Sequence, residues 1–308
     1  MLLDLRIRLK WRRDRKHLPL TGEHWELYRI LHRDSWRRAR RLPDLVHGRS
    51  FNDHVQWLKL FDQDERMVQL SDKVGVRSHV EARLGSGHLP TLLQVGKQFD
   101  DIDWDALPAA FVVKATNDSG SVVVVPDRSR FDREAARARI ERGLRREFGW
   151  KKGEWAYSGI EPRVLVEEYL EPEGALVPPD HKFHCVEGRV AFGHFIHGRH
   201  QDVREAITTR DGEVLPHTLY FPGGAPFVRP SEWERMVAVA EAVAQGFRYV
   251  RVDLFLHRGR VLVGEMTFWP NGGCYVEPGQ VALGERMEFD RSYVKPPVYQ
   301  RVRRRGTA

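Results

Sequence analysis

The segment YVRVDLFLHRGRVLVGEMTFWPNGG, which begins at Tyr249, alternates apolar and polar residues on both sides of a turn at Gly259. Period-two alternation around a glycine predicts a β-hairpin. With a three-residue loop Arg258–Arg260, one face carries Val250, Val252, Leu254, Leu256, Leu262, Gly264, Met266 and Phe268. The other carries Arg251, Asp253, Phe255, Val263, Glu265 and Thr267. A slip of one residue would turn the apolar set to the wrong side, so the pattern pins the pairing. Asp253 then stands across from Glu265, with Cβ atoms about 5 Å apart, where like charges repel. A divalent cation relieves that repulsion, and magnesium suits the pair because it takes carboxylate oxygens and completes its shell with water and phosphates. Arg251 on the same face offers the other resolution, a structural ion pair.

A hairpin with one apolar face needs a core to cover it, and 308 residues with 41% hydrophobic content can supply one, in two lobes sharing a cleft. Residues 1–41 read as helical, with Trp25, Leu27, Ile30 and Leu31 near helical spacing and Pro43 and Gly48 as breakers. Two helical stretches follow from Ser50, separated near Asp64, the second with Ser71-Asp72 as its N-cap and Gly85, Gly87 and Pro90 as its end. Strands are expected at Leu92–Val95, Phe111–Lys114, Val122–Val125 and Arg163–Leu170, and near 183–197 and 250–268. Helices are expected over 132–148 and from Ser231 to Gln245, where Gly246 ends the run, and 150–159 reads as a loop. Strands and helices without regular alternation place the chain in the α+β class.

The formal charge of +7 is concentrated at the ends, with 13 Lys/Arg against 5 Asp/Glu in residues 1–41 and 6 against none in residues 291–308. The body between them is acidic. Basic ends suit an anionic glycan or a membrane surface, with nucleic acid a weaker candidate, and solvated termini that aid solubility are the plain alternative. The opening MLLDLRIRLKWRRDRKHL breaks every apolar stretch with charge, so it lacks a signal-peptide core, and no segment reaches membrane-spanning length. A cytoplasmic location is the expectation. Cys185 and Cys274 belong to no CxxC pair and are expected to be ordinary thiols.

Lys114 closes an apolar strand and precedes Asn117-Asp118-Ser119-Gly120-Ser121, a loop of small residues whose backbone N–H groups can approach phosphate oxygens. It has neither P-loop nor GxGxxG spacing, and a hairpin turn explains it as well. The run VLVEEYLEP ends a strand in Glu167, Glu168, Tyr169 and Leu170, which can offer backbone groups to an adenine edge. His181, His184, Cys185, His194, His197 and His200 crowd one region, but their spacing fits no zinc motif, and histidines scattered through a sheet account for them better.

Taken in order, these pieces resemble the ATP-grasp superfamily, and specifically its TupA-like branch, named for teichuronopeptide biosynthesis. The resemblance covers residues 50–290. It rests on Asp72-Lys73, Phe111-Val-Val-Lys114, Val166-Glu-Glu-Tyr-Leu170, Asp180-His-Lys182-Phe183, Arg251-Val-Asp253-Leu254 and Gly264-Glu265-Met-Thr-Phe268 before Gly272-Gly273. It implies an ATP-grasp fold in which two α+β lobes sandwich ATP, with a basic helical extension over 1–48, a first lobe over 49–170, a second lobe with the metal site over 171–290 and a basic tail over 291–308. Lys73 and Lys114 would hold phosphates under a cover formed by Asn117, Ser119, Gly120 and Ser121, and 167–170 would meet adenine. Asp253 and Glu265 would bind magnesium, Lys182 would face the nucleotide or intermediate, and Arg251 would steady the transferred phosphoryl group. Thr267 stands where a third ligand is usually Asn, with Asn271 nearby as a substitute. The loop 117–121 is also poorer in glycine than a typical phosphate cover. Gly198-Arg199-His200 and Arg204 would lie on the acceptor side. The implied activity joins a small-molecule carboxylate to an amine through an acyl phosphate, attaching an amino acid to a glycan, peptide or other acceptor. A small-molecule kinase and a non-catalytic polyanion-binding protein are the rival readings.

Overall fold

The structure is a computed structural model that describes residues 2–172, 180–198 and 202–306. The charged N-terminal stretch forms two helices, α1 (Leu2–Asp14) and α2 (Trp25–Ala39), and the residues that recur at helical spacing in α2, Leu27, Tyr28 and Leu31, are its buried face. Ser50 opens α3 (Phe51–Phe61), its Oγ accepting the Asp53 N–H at 3.2 Å. Every residue of α3 is buried. Lys59 lies within it, its Nζ donating to the carbonyls of Lys152 at 2.6 Å and Gly272 at 2.8 Å.

The next helical stretch divides in two, α4 (Arg66–Ser71) and α5 (Gly75–Leu84), and this corrects the expectation that Ser71-Asp72 cap a single helix. Asp72 ends α4 instead. Its Oδ1 accepts the Val74 N–H at 3.2 Å, a local bond that competes with helix continuation, and its Oδ2 is held by Arg163. Lys73 therefore leaves the chain at a joint and not on a helix face.

Strands β1 (Leu92–Gly96), β2 (Phe111–Ala115), β3 (Val122–Val125) and β4 (Val164–Glu168) form an antiparallel sheet in the order β1-β4-β2-β3, backed by α6 (Arg133–Leu144). A small core around Phe99, Trp104, Phe111 and Ile140 fills the space between them. Strands β5 (Asp180–Val186), β6 (Arg189–His197), β7 (Arg204–Thr208), β8 (Val214–Leu215), β9 (Tyr249–His257) and β10 (Arg260–Thr267) form a second antiparallel sheet in the order β10-β9-β5-β6-β7-β8. Helix α7 (Trp233–Ala244) covers it, while α8 (Gly279–Gly284) and α9 (Tyr299–Gly306) return to the helical side. The main core joins this sheet to α1–α5, with Ile7, Leu27, Phe51, Trp155, Phe183 and Leu254 in one apolar cluster. Each such side chain stabilises the fold by roughly 1.5–3 kcal/mol through burial. Among the described residues no helix is long and apolar enough to cross a membrane.

The hairpin differs from its expected form near the turn. Arg258 and Gly259 alone make the turn, at φ 50° and 73°, the two positive values that favour a two-residue hairpin connection. Val261 and Val263 therefore pair with Leu256 and Leu254 and join the main core, whereas Leu262 pairs with Phe255. An irregularity between Val263 and Glu265 then restores the expected register, so Glu265 lies opposite Asp253 and Thr267 opposite Arg251. Gly264 permits this because a Cβ there would lie 2.7 Å from the Phe255 ring.

Candidate active site

Between the two sheets lies a cleft of about 1260 Å³. Its polar floor is a row of residues in register across neighbouring strands: Glu265 on β10, Asp253 on β9, Lys182 on β5 and His194 on β6. A second row, Thr267, Arg251 and His184, runs beside it. Strand alternation puts both rows on one face of the sheet, opposite the face of Phe183, Val252 and Leu254.

The repulsion expected between Asp253 and Glu265 is met by cations from the protein itself. The Arg251 guanidinium donates to both oxygens of Asp253, from Nε at 2.6 Å and from Nη2 at 2.7 Å, and Nη2 also reaches Glu265 Oε1 at 3.0 Å. Lys182 Nζ donates to Asp253 Oδ2. Thr267 Oγ1 donates to Glu265 Oε1 at 3.0 Å and accepts from Arg251 at 3.1 Å. Burial opposes the charge on Asp253, yet Arg251 and Lys182 outweigh it and hold the carboxyl well below the usual carboxylate range. Arg251 is raised in turn, Asp253 overcoming the effect of burial.

Two carboxylates and a hydroxyl offer hard oxygen donors, and a guanidinium already bridges the carboxylates at the spot where positive charge is needed. Magnesium fits this donor set, since it accepts few protein ligands and draws the rest from water and phosphate. The Glu265 side chain remains 42% exposed toward the cleft, whereas that of Asp253 is 4% exposed. Glu265 is thus the open carboxylate and Asp253 the anchored one.

Two further lysines line the cleft, Lys114 on β2 of the first sheet and Lys73 at the α4–α5 joint. Lys114 pairs with Glu167 across β2 and β4, and Lys73 donates from the α4–α5 joint to the Asp118 carbonyl. Burial lowers the Lys73 pKa, Glu265 works against that, and the like charge of Lys114 adds to it. Ser119, Gly120, Tyr169 and Leu170 also line the cleft, as does Glu168, which accepts from Arg260 at 3.2 Å and Thr91 at 3.0 Å. The wall beside them is apolar, built from Val112, Val123, Val125, Ile196 and Phe255.

Asn117, Ser121, Thr267, Gly198 and Arg204, all expected at the site, do not line this cleft. Asn117 is buried, and its Nδ2 donates to the Gly143 carbonyl at 3.2 Å, serving the C-terminal end of α6. Ser121 Oγ donates to Asp118 Oδ2 at 2.7 Å. Of the segment 117–121, Ser119 and Gly120 line the cleft. Thr267 lines an adjoining cavity, as does Asn271, which also borders the main cleft. Arg204 is bonded to Asp202 at 2.8 Å and does not line the cleft, and Arg199 and His200 lie outside the described residues. The histidines are engaged separately, His184 Nδ1 with Tyr249 Oη at 2.8 Å and His194 Nε2 with Glu205 Oε2 at 2.8 Å. Burial lowers the pKa of both. Among the described residues no three His, Cys, Asp or Glu side chains converge as metal ligands.

The adjoining cavity, about 230 Å³, shares Lys73, Ser119, Arg251, Glu265 and Asn271 with the cleft and adds Lys152, Glu154 and Tyr157. Glu154 is 5% exposed and lines this cavity. Burial raises its pKa, with Lys59, Lys152 and Arg38 pulling the other way. Tyr157 is raised by burial and then by Glu265 and Glu154. The expected loop over 150–159 is thus two short 3-10 turns that deliver a buried acid beside the floor. A signal was present: Trp150, Trp155 and Tyr157 make this stretch too aromatic for a surface connection.

A family model described as TupA-like ATPgrasp matches residues 53–286. No curated protein matches the chain. Among solved structures, it is similar to a D-alanine–D-alanine ligase from Bacillus anthracis, at 16% identity and a TM-score of 0.38 over 65% of this chain and 57% of that one. It is also similar to a RimK domain ATP-grasp protein from Sphaerobacter thermophilus, at 15% identity and 0.41, over 76% and 75% of the two chains. An L-amino acid ligase from Bacillus licheniformis is similar at 16% and 0.41, over 67% and 42%. This chain thus spans little more than half of the Bacillus anthracis ligase, and values of this size carry no information on substrate.

Proposed function

We propose that this chain, which belongs to the TupA-like ATP-grasp family, is an ATP-dependent ligase that joins a carboxylate to an amine in the cleft between its sheets. The observation that carries this reading is the row Glu265–Asp253–Lys182, bridged by Arg251 and faced by Lys73 and Lys114.

In this reading the apolar wall and residues 167–170 receive the adenine, and Lys73 and Lys114 hold phosphate oxygens. Asp253 and Glu265 would hold magnesium, which when bound neutralises charge on the phosphates. Each of the three cleft lysines is engaged by an oxygen of the protein, Lys114 by Glu167, Lys182 by Asp253 and Lys73 by a carbonyl. A polyphosphate supplies stronger acceptors, so these side chains turn to it without a change of fold. Arg251 and Lys182 then face the transferred phosphoryl group. The substrate carboxylate oxygen attacks the γ-phosphorus, ADP departs, and the resulting acyl phosphate loses phosphate when the amine attacks its carbonyl carbon. Positioning and charge neutralisation supply most of the rate in such transfers.

The adjoining cavity supports an amino acid as one reactant. It offers Glu154 to an ammonium group and Lys152, with Arg251 at its mouth, to a carboxylate, and it opens beside Glu265. A glycan or peptide would be the other reactant.

The test is ADP release with magnesium and a panel of amino acids and carboxylates. Release is expected only when acid and amine are both supplied, with Asp253→Asn or Glu265→Gln lowering kcat by about 100-fold or more. Full turnover in either variant would overturn the metal assignment. A stable phosphate ester as product would replace the ligase by a kinase. If Mg-ATP failed to raise the melting temperature, the nucleotide site itself would be wrong.

A further inference from the structure

Helix α1 buries one side and, among the described residues, leaves the other unpartnered. Ile7 is fully buried, and Leu3 and Trp11 pack against the main core. On the opposite side Leu2 is 77% exposed, and Leu5 and Leu9 are each 55% exposed. At 3.6 residues per turn these three leucines fall within an arc of about 60°. Arg8 and Arg12 flank that arc on one side and Arg6 and Arg13 on the other, all exposed.

Neither acid of the helix lies on this face. Asp4 is bonded to Arg33, at 2.9 Å from Nε and 2.6 Å from Nη2, and Asp14 is buried against Tyr28 Oη at 2.9 Å. The outward face is therefore apolar at its centre and positive at both margins. Such a face suits the boundary between acyl chains and headgroups, with leucines entering the first and arginines meeting the phosphates of the second.

Two other occupants fit less well. A second copy of the chain would bring arginine margins against arginine margins. A nucleic acid or anionic glycan would engage the arginines but make no use of three leucines held toward solvent.

We propose that α1 docks this protein on the surface of an anionic lipid bilayer. The helix lies in the plane of the surface, with Leu2, Leu5 and Leu9 inserted and Arg8, Arg12 and Arg13 on lipid phosphates. Ile7 and Trp11 keep it fastened to the body, so docking needs no unfolding. The proposal is independent of the chemistry in the cleft.

The test is co-sedimentation of the full chain with phosphatidylcholine vesicles and with vesicles that also contain phosphatidylglycerol. Binding is expected to the anionic vesicles and not to the neutral ones. The double variants Leu5→Glu/Leu9→Glu and Arg8→Gln/Arg12→Gln should each weaken it by about tenfold or more, with melting temperature unchanged as evidence of folding. No binding to anionic vesicles would overturn the proposal. So would binding that is lost with the arginine variant and kept with the leucine variant, which would mean a charge-only polyanion surface. A dimer of the unaltered protein that the leucine variant converts to monomer would assign the face to a second copy instead.

Discussion

Glu154 is a buried carboxylate that lines the adjoining cavity, where burial raises its pKa and Lys59, Lys152 and Arg38 oppose that. If it receives the ammonium of an amino acid, Glu154→Gln should raise KM for that substrate by about tenfold or more, the scale of one lost charged hydrogen bond, and leave KM for ATP unchanged. Equal changes in both constants would count against the assignment. Two buried histidines carry a pH prediction. Burial holds the His32 pKa down at about 3, and burial, then the Arg291 guanidinium, hold that of His54 at about 4. Free imidazole titrates at about 6.5, so the unfolded chain binds more protons below that pH. Stability should be full above pH ~6.5 and fall as the pH drops toward the folded values. A melting temperature measured from pH 7 to pH 4 checks this, and His32→Phe should flatten the slope. An unchanged slope would show that other groups control acid sensitivity.

The element that matters most is the β9–β10 hairpin. Its alternating pattern was legible because side-chain direction in a strand is local, and the pair Asp253–Glu265 follows from it. The bulge at Gly264 was not legible, because a three-residue loop and a two-residue turn followed by a bulge give the same pairing at the far end of the strands. What separates them is the Phe255 ring, which occupies the space a Cβ at 264 would need. Gly264→Val should destabilise the protein by about 1–3 kcal/mol through overpacking. It should also weaken Mg-ATP binding, because Glu265 would lose its position against Asp253. A variant of unaltered stability and affinity would show that the bulge is incidental. The α4–α5 break is of the same kind. Asp72 reads as an N-cap in sequence, but Arg163, 91 residues along the chain, completes the joint that directs Lys73.

Across the whole molecule, the basic N-terminal helices and the second sheet share one core. Leu27 and Leu254 belong to a single apolar cluster. Leu27→Ala should therefore lower global stability by about 2–5 kcal/mol and keep a single unfolding transition. A separate early transition would mean that the N-terminal helices fold as their own unit. The α+β class, most helices and strands and the acidic pair were determined by the sequence alone. They rest on periodicities of two and 3.6 and on turn residues, all read within a few neighbours. Which charges meet was decided only by the tertiary structure. Lys182 reaches Asp253 across 71 residues of chain and Lys59 the Gly272 carbonyl across 213, and Asn117 was turned away from the cleft by the end of α6. Whether a charged side chain is buried, and beside what, depends on packing between distant segments, and no local pattern encodes it.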